Sequence, residues 1–336
     1  MTAKDISFII PIYNRPDEAK ELLESFEVLD GDANFEIVIV EDGSSITSKD
    51  VVDTFSDKLN ISYFFKENTG PGDSRNYGMK RASGNYFIIL DSDCVLPEQY
   101  LKTVLESLND YYVDCFGGPD AAHSSFSNIQ KAINFAMTSF ISTGGIRGKK
   151  SSVNKFEPRS FNMGISKAAF LETGGFGRIH PGEDPDLSIR LSKLKFKTAL
   201  ISKAFVYHKR RISWSKFYKQ VYKFGSVRPI LNQWHPETKK ITYWFPAMFS
   251  LGFLVAITLC FFDIMFPIKL VTLYVVLTFL MSLISTKNLI VSIYAVYAVI
   301  IQFFGYGYGF IKSTLILAFS NKDVESQFPN LFFSVK

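Results

Sequence analysis

Residues 86–93 read Tyr-Phe-Ile-Ile-Leu-Asp-Ser-Asp, and this stretch decides the fold. The apolar run from Tyr86 to Leu90 predicts a strand buried on both faces, as in a parallel sheet covered by helices. Ligands of such sheets bind at the carboxyl ends of the strands, and here that end carries Asp91 and Asp93. Mg²⁺ and Mn²⁺ prefer oxygen ligands and share them with substrate phosphates. The triplet alone is weak evidence, because Asp-x-Asp is also frequent in polar turns.

The flanking sequence alternates between apolar strands and amphipathic helices, which predicts an α/β, Rossmann-like, mostly parallel sheet with helices on both faces. The predicted strands are Ser7–Ile12, Glu36–Val40, Ile61–Phe65, Tyr86–Leu90, one ending at Phe116–Gly118, Arg159–Ser166 and Thr198–His208. The predicted helices are Asp17–Leu29, Asp50–Phe55, Gly72–Ala82, Lys167–Thr173, Asp184–Leu194 and the basic helix Ser213–Asn232. The segment Asn128–Ile141 is either an amphipathic helix or a loop segment near the membrane.

Polar motifs follow several of these strands. Residues 11–14 end the first strand, residues 41–44 end the second, and residues 68–76 precede the helix that leads to the strand ending at Asp91. Tyr13 can lie against a nucleotide base, and Asp42 can accept a hydrogen bond from a pyrimidine ring. Arg75 is a planar charged donor that can reach a phosphate or the base.

These motifs, together with Glu183-Asp184, resemble the inverting family 2 glycosyltransferases of the GT-A nucleotide-diphospho-sugar transferase fold. The resemblance covers most of residues 5–232, and four motifs occur in the family's order. It implies transfer of a sugar from a nucleotide-sugar donor with a divalent cation, Mn²⁺ or Mg²⁺. It also implies residue roles: the nucleotide contacts Pro11, Tyr13, Asp42, Arg75 and Asp91, the metal ligand Asp93 and the catalytic base Asp184.

The resemblance further implies that Asn162, Gly175 and Glu183 line the sugar and acceptor pocket. Asp184 could instead only cap a helix, although a cap and a base are compatible roles. His208 follows a predicted strand and is either a second metal ligand or a packing histidine. His180 and Arg178 could line the acceptor pocket or be incidental loop residues.

The last third of the chain is apolar, with only four charged residues between Tyr243 and Phe319. A bilayer core requires about 20 apolar residues per helix, and the stretch divides into three such spans. The spans are predicted at Trp244–Phe262, Ile268–Ser285 and Leu289 to near Ile311. The alternative is a buried helical hairpin inside a soluble protein.

We therefore expect a glycosyltransferase domain over residues 1–235, a membrane domain over 240–320 and a short tail over 321–336. The N-terminus enters a strand pattern without a basic segment and a long apolar stretch, so we expect no signal peptide. Lys239 and Lys240 precede the first span, and Lys287 separates the second from the third. This charge pattern favours a multi-pass inner or plasma membrane protein with its catalytic domain in the cytoplasm.

The net charge of +5 is concentrated in one segment, because residues 203–240 hold ten Lys or Arg residues and one acidic residue. Beside a membrane span, such a segment indicates contact with anionic lipid headgroups or a phosphorylated lipid, and not with nucleic acid. A merely solvated helix face is the alternative. Cys94, Cys115 and Cys260 show no metal or redox spacing, which indicates reduced structural cysteines.

The hypothesis favoured by these observations is transfer of a sugar, from a UDP-sugar by resemblance, to a lipid-linked saccharide or glycolipid. A polyprenyl-phosphate glycosyl synthase is the first alternative. A processive polysaccharide synthase is disfavoured, because the family's Gln-x-x-Arg-Trp motif here reads Gln220-Val-Tyr-Lys-Phe224. An inactive nucleotide-sugar-binding scaffold is disfavoured by the presence of Asp91, Asp93 and Asp184. No Gly-x-Gly-x-x-Gly follows the first strand, which excludes a nicotinamide-dependent Rossmann enzyme.

Overall fold

The computed structural model describes residues 1–31, 34–121, 126–143, 157–208 and 213–333. Residues 209–212 of the predicted basic segment lie outside the described residues. In chain order the strands are β1 (Ile6–Ile12), β2 (Glu36–Asp42), β3 (Ile61–Lys66), β4 (Tyr86–Leu90), β5 (Cys94–Val95), β6 (Cys115–Gly117), β7 (Asp120–Ala121), β8 (Asn162–Ser166), β9 (Thr198–Leu200) and β10 (Val206–His208).

The helices confirm the predicted alternation. They are α1 (Pro16–Glu27), α2 (Lys49–Asp53), α3 (Pro71–Arg81), α4 (Tyr100–Asp110), α5 (Asn128–Thr138), α6 (Phe140–Thr143), α7 (Lys167–Thr173), α8 (Glu183–Lys193), α9 (Trp214–Trp234), α10 (Phe245–Cys260), α11 (Phe266–Thr286), α12 (Leu289–Phe319) and α13 (Val324–Gln327).

The chain divides into two compact units. The first, called here the sheet unit, comprises Met1–His123, Lys150–His208 and Phe332–Lys336. The second, the helical unit, comprises Ser124–Lys149 and Lys209–Leu331. The sequence-based division at residues 235 and 240 into a cytoplasmic and a membrane domain stays a prediction.

The sheet unit contains, within the described residues, a seven-stranded sheet of order β3-β2-β1-β4-β8-β6-β9. The pairs β1–β2, β1–β4, β2–β3 and β6–β9 are parallel, whereas β8 runs antiparallel to β4 and β6. The sheet is therefore mostly parallel, as predicted, with one reversed strand. Because β1, β2 and β4 are parallel, Ile12, Asp42 and Leu90 end at the same edge.

Successive side chains along a strand point to opposite faces of the sheet, so apolar strands build a hydrophobic core on both faces. In β4, Tyr86, Ile88 and Leu90 pack into one apolar cluster, and Phe87 and Ile89 pack into the other. The first cluster lies beneath α1 and α4, and the second beneath α3, α7 and α8. All five side chains are fully buried, which is why the run reads as continuously apolar in the sequence.

The predicted strand Thr198–His208 is wrong as a single element, because the chain turns between β9 and β10. The backbone N–H of Ala204 donates to the carbonyl oxygen of Ile201 at 3.0 Å, and the Asn162 amide donates to the Ala204 carbonyl at 2.8 Å. After this turn, β10 joins a second sheet of order β5-β10-β7. In that sheet His208 pairs with Cys94, the residue after Asp93.

Among its described residues, the helical unit contains three helices that are long and apolar enough to cross a membrane: Ile241–Cys260, Phe266–Thr286 and Leu289–Phe319. The third extends to Phe319 and not to near Ile311, because the apolar pattern continues past Lys312. Close packing of α12 on α9 depends on glycine: a Cβ at Gly225 would lie 2.1 Å from the Tyr306 carbonyl oxygen. Small residues allow such backbone contact between helices.

Candidate active site

At the carboxyl edge of the sheet, polar side chains form hydrogen bonds with the backbone of neighbouring loops and hold those loops in place. Asn14 follows β1 with a φ of 54°, a left-handed conformation that asparagine tolerates better than most residues. Its Oδ1 accepts hydrogen bonds from the backbone N–H groups of Ser45 and Ile46, at 2.8 and 2.9 Å. This side chain ties the loop after β1 to the loop after β2.

Asp42, predicted to contact the nucleotide, is buried and bound to its own chain. Its two oxygens accept from the backbone N–H groups of Thr69 and Gly70, each at 3.0 Å, and Lys66 Nζ donates to Oδ1 at 2.6 Å. Asp42 therefore fixes the loop that leads into α3. A carboxylate oxygen has two lone pairs, so a further bond from a donor base is compatible with these contacts.

Pro11 and Tyr13, which are also predicted to contact the nucleotide, differ in solvent exposure. Pro11 is half-buried within β1, where it lies opposite Val40. The Tyr13 side chain is 52% exposed, and a ring with that much exposed surface is available to stack on a planar ligand. Both nucleotide roles stay predictions.

Arg75 is the centre of a buried charge network. Its Nη2 donates to Asp91 Oδ1 at 2.7 Å, and its Nη1 lies 3.3 Å from Glu183 Oε1. The guanidinium also lies 5.3 Å from the centroid of the Phe176 ring. The side chains of Arg75 and Glu183 are 5% and 6% exposed, whereas that of Asp91 is 33% exposed. The network thus joins the end of β4 to the start of α8.

Glu183 and Asp184 open α8 with opposite pKa shifts. Burial disfavours ionisation of Glu183, but His180 Nδ1 at 2.9 Å and the charge of Arg75 together hold its pKa below the ordinary value. For Asp184, burial raises the pKa, the adjacent Glu183 charge raises it further, and Arg75 and Arg159 oppose this only in part. Asp184 Oδ1 is buried without a hydrogen-bond partner among the described residues. A carboxylate with a raised pKa and an unpaired oxygen suits a general base.

The predicted metal ligands Asp93 and His208 are adjacent. His208 Nε2 lies 3.1 Å from Asp93 Oδ1, and Asp93, Cys94 and His208 place their ligand atoms within 4.8 Å of one another. The His208 ring stacks on Phe161, with ring centroids 4.8 Å apart. Arg15 Nη1, 3.4 Å from Asp93 Oδ2, is a positive neighbour of the same carboxylate.

The chemistry of these side chains fits a divalent cation. Carboxylate and imidazole are suitable ligands for Mn²⁺. Burial raises the pKa of the Cys94 thiol well above its ordinary value, and the charges of Asp93 and Asp91 add to this effect. Mg²⁺ and Mn²⁺ prefer oxygen and imidazole ligands to sulfur, so Asp93 and His208 fit such a cation better than Cys94 does.

Two of the three predicted pocket residues have internal roles. The Asn162 amide is fully buried and accepts from Tyr100 Oη at 2.6 Å while donating to the Ala204 carbonyl. Gly175 has a φ of 78° and a Cβ there would lie 2.2 Å from Asn76 Oδ1. The third, Glu183, belongs to the charge network. These contacts explain why the residues are needed, and their proposed contact with sugar stays a prediction.

The turn at Gly174 and Gly175 is fixed from two sides. The Asn76 amide binds both backbone groups of Phe176, its Nδ2 donating and its Oδ1 accepting at 2.8 Å. Arg190 donates to the carbonyl oxygens of Thr173 and Gly175, both at 2.6 Å. The Arg190 guanidinium is held in turn by Asp186, four residues earlier on α8.

Sequence reasoning missed several residues of the site. Lys66 and Tyr100 act through Asp42 and Asn162, which are distant in sequence, so no local pattern identifies them. Asn76 and Phe161 lie within predicted motifs, but their contacts with Phe176 and His208 could not be predicted. Arg15 offered one signal, since it belongs to the turn after β1 and hence to the edge that carries Asp93.

The profile of Glycosyl transferase family 2 matches residues 7–172. Relatives include an uncharacterized glycosyltransferase of Rickettsia felis, 36% identical over 105 residues, and the glycosyltransferase GlyA of Streptococcus pneumoniae, 34% identical over 110 residues. These alignments cover 31% and 32% of this chain but only 17% and 16% of the relatives. The chain thus spans a small part of these longer proteins.

A longer alignment is found with a Campylobacter jejuni protein named GalNAc(5)-diNAcBac-PP-undecaprenol beta-1,3-glucosyltransferase. It is 29% identical over 203 residues, which are 60% of this chain and 63% of that protein. Among solved structures, the mannosyltransferase PcManGT from Pyrobaculum calidifontis, in complex with GDP-Man and Mn²⁺, has a TM-score of 0.64 at 12% identity. The likeness covers 95% of this chain and 88% of that one, and it confirms the predicted fold class.

Proposed function

Because the chain belongs to glycosyl transferase family 2, we propose that it moves a sugar from a nucleotide-sugar to a lipid-linked saccharide or glycolipid, with inversion. The observation that carries this proposal is the pair Glu183-Asp184 at the start of α8. An ionised glutamate held by Arg75 and His180 stands beside an aspartate of raised pKa with an unpaired oxygen.

In the proposed reaction Asp184 accepts the proton of the acceptor hydroxyl. The freed oxygen forms a bond to the anomeric carbon from the face opposite the diphosphate. The bond between that carbon and the diphosphate oxygen breaks, and the electron pair leaves with the nucleoside diphosphate. A positioned general base contributes about 10²- to 10⁴-fold to such a rate.

The donor lies, in this proposal, along the edge formed by β1, β2 and β4. Tyr13 contacts the base, and the loop fixed by Asp42 forms the neighbouring wall. Arg75 orients Asp91 and Glu183, and its charge supports the negatively charged donor. UDP-sugars are the proposed donors, with GDP-sugars as the class to compare.

Asp93 and His208 would hold the divalent cation, Mn²⁺ or Mg²⁺. When bound, the cation offsets negative charge on the leaving diphosphate. The stacking of His208 on Phe161 restricts the imidazole ring and leaves Nε2 turned toward Asp93.

The acceptor class is supported by the helical unit and by one relative. Three helices could cross a membrane, which would keep the enzyme at the surface where lipid-linked saccharides reside. The Campylobacter relative is named for an undecaprenol-diphosphate-linked acceptor. We further propose that the sheet unit is cytoplasmic, because Lys239 and Lys240 precede the first span and Lys287 lies between the second and the third.

The test follows nucleoside diphosphate release by the full chain in nanodiscs. UDP- and GDP-sugars are offered with Mn²⁺, Mg²⁺ or EDTA, and with lipid-linked saccharide, free polyprenyl phosphate or no acceptor. Asp184→Asn is compared with Asp17→Asn, because Asp17 is an exposed aspartate in the first turn of α1.

Metal-dependent release that requires a lipid-linked saccharide, and that only Asp184→Asn abolishes, supports the proposal. If release of nucleoside diphosphate requires free polyprenyl phosphate, the protein is a polyprenyl-phosphate glycosyl synthase. Equal activity of the two variants would remove Asp184 from the role of base. Donor binding without turnover under every condition would favour an inactive nucleotide-sugar-binding scaffold, and absence of both binding and turnover would overturn the proposal.

A further inference from the structure

The C-terminal residues Phe332 and Phe333, called here the strap, lie in the sheet unit against the loop that precedes α8. Phe332 forms an antiparallel bridge with the buried Ile179. Arg178 Nη2 donates to the Phe333 carbonyl at 3.2 Å, and the Phe333 N–H approaches the Arg178 carbonyl at 3.5 Å. The strap is therefore bound through backbone as well as side chains.

The ring of Phe333 touches both the donor side and the acceptor side of the proposed site. On the donor side it covers Gly70, where a Cβ would lie 2.2 Å from the ring. Gly70 precedes α3 with a φ of 94° and donates its N–H to Asp42. On the acceptor side the ring centroid lies 5.7 Å from that of His180. Only a residue without a side chain at position 70 admits the ring there.

His180 connects this ring to the charge network. Its Nδ1 lies 2.9 Å from Glu183 Oε1, and the same oxygen lies 3.3 Å from Arg75. The His180 side chain is 37% exposed, and the ring of Phe333 lies beside its covered part. Removal of Phe333 would leave the imidazole free to turn away from Glu183.

We propose that Phe333 is a positioning residue for the transfer reaction: it holds His180 on Glu183 and thereby fixes the carboxylate next to the base. This inference rests on the proposed function of Glu183-Asp184. The strap is a permanent part of the working site and not a gate. Its antiparallel bridge to a buried residue and the close fit over Gly70 are features of stable packing.

The first experiment is a double-mutant cycle of Phe333→Ala and His180→Ala in the full chain. Phe333→Ala lowers kcat about tenfold, a loss of about 1.4 kcal/mol, and changes the donor KM less than about twofold. The double variant is no slower than His180→Ala alone, because both substitutions remove one interaction. Phe333→Leu restores most of kcat, and Tyr111→Ala, which truncates an aromatic ring 54% exposed in the same unit, leaves kcat unchanged.

Fully additive effects on kcat, or a lower melting temperature with unchanged kcat, would overturn the positioning role. Hydrogen exchange supplies a readout that does not depend on activity. In Phe333→Ala, amides of residues 178–183 exchange faster, while those of β4 do not change. If wild type transfers no sugar but this local change occurs, the proposed function fails and the docking of the strap stands. If wild type is active and Phe333→Ala matches it in kcat and exchange, the strap proposal fails alone.

The second experiment joins the strap to its partner as Ile179→Cys with Phe332→Cys. Directly paired antiparallel residues have Cα atoms about 4.5–5.5 Å apart, within the range that a disulfide spans. The oxidised variant retains the turnover of its reduced form, because the strap stays in place during the reaction. Loss of turnover on oxidation and recovery on reduction would show a gate that must open, and would overturn the positioning role.

Discussion

Replacing Arg75 by methionine is expected to destabilise the sheet unit by about 3–5 kcal/mol, the cost of breaking a buried ion pair. Most of the loss comes from Glu183, whose side chain is 6% exposed and cannot be hydrated in place. Asp91 is 33% exposed, so water can replace the guanidinium there and the loss is at most about 1 kcal/mol. Methionine keeps most of the volume beside Phe176, so packing contributes little.

For a unit of this size, 1 kcal/mol corresponds to roughly 2–4 °C, and the expected decrease in melting temperature is roughly 6–20 °C. The three tryptophans, Trp214, Trp234 and Trp244, all belong to the helical unit. Unfolding of the sheet unit is therefore better followed through its buried thiols, Cys94 and Cys115. A thiol-reactive dye on a Cys260→Ser background reports their exposure during heating.

Two further variants test whether the expected decrease in melting temperature comes from the unpaired Glu183 carboxylate. Arg75→Met with Glu183→Gln recovers much of the melting temperature, because a neutral amide is less costly to bury than an unpaired carboxylate. Asp91→Asn alone lowers the melting temperature by only a few degrees. A melting temperature of Arg75→Met equal to that of wild type, or a further decrease when Glu183→Gln is added, would refute the expected cost of leaving Glu183 unpaired.

Three other predictions follow from the site. Asp184→Asn lowers turnover by about 10²- to 10⁴-fold. Its stability shows a second effect: the folded-state pKa of Asp184 is raised, so wild type loses stabilisation as pH rises through that pKa. The melting temperature of the variant relative to wild type therefore increases between acidic and neutral pH, and a constant difference would contradict the shift. Glu183→Gln removes a charge that raises the pKa of Asp184, so the acidic limb of its kcat profile moves to lower pH; a limb at unchanged or higher pH would refute this coupling. Asp93→Ala and His208→Ala each weaken Mn²⁺ binding by at least about tenfold, measured by titration of metal into the protein with nucleoside diphosphate, with Asp17→Asn as control. Wild-type Mn²⁺ affinity in both variants would remove these residues from the metal site.

The elements of the fold were predictable because burial is visible in the sequence. The strand Tyr86–Leu90 was predicted at its observed bounds, since five apolar residues with polar neighbours admit few alternatives. The prediction of strands failed at Thr198–His208, where contacts between residues distant in sequence decide the local structure. The turn that divides Thr198–His208 depends on the Asn162 amide, 42 residues distant from Ala204, and no local pattern encodes it.

The site was predictable as a set of residue types, but not as a set of contacts. Asp93 and His208 could be named as a metal pair, and the structure places them side by side. Asn162 was expected in a sugar pocket because of its motif, and this stays a prediction, but the hydrogen bonds of its amide with Tyr100 and Ala204 could not be predicted. The strap could not be predicted, because Phe333 follows the long apolar helices in sequence yet lies against Gly70.

The charge balance around Arg75 explains why the base can be an aspartate. Arg75 supplies one positive charge to two carboxylates, since its Nη2 contacts Asp91 and its Nη1 contacts Glu183. The rigid planar guanidinium directs these two donors in fixed directions. Burial raises the pKa of Asp184, the negative charge of Glu183 raises it further, and Arg75, whose charge is divided between Asp91 and Glu183, opposes this only in part. Asp184 can thus take up the acceptor proton while Glu183 stays ionised. The difference between the two carboxyls depends on the positive neighbours of Glu183: His180 and Arg75 lower its pKa, whereas Asp184 Oδ1 has no hydrogen-bond partner among the described residues.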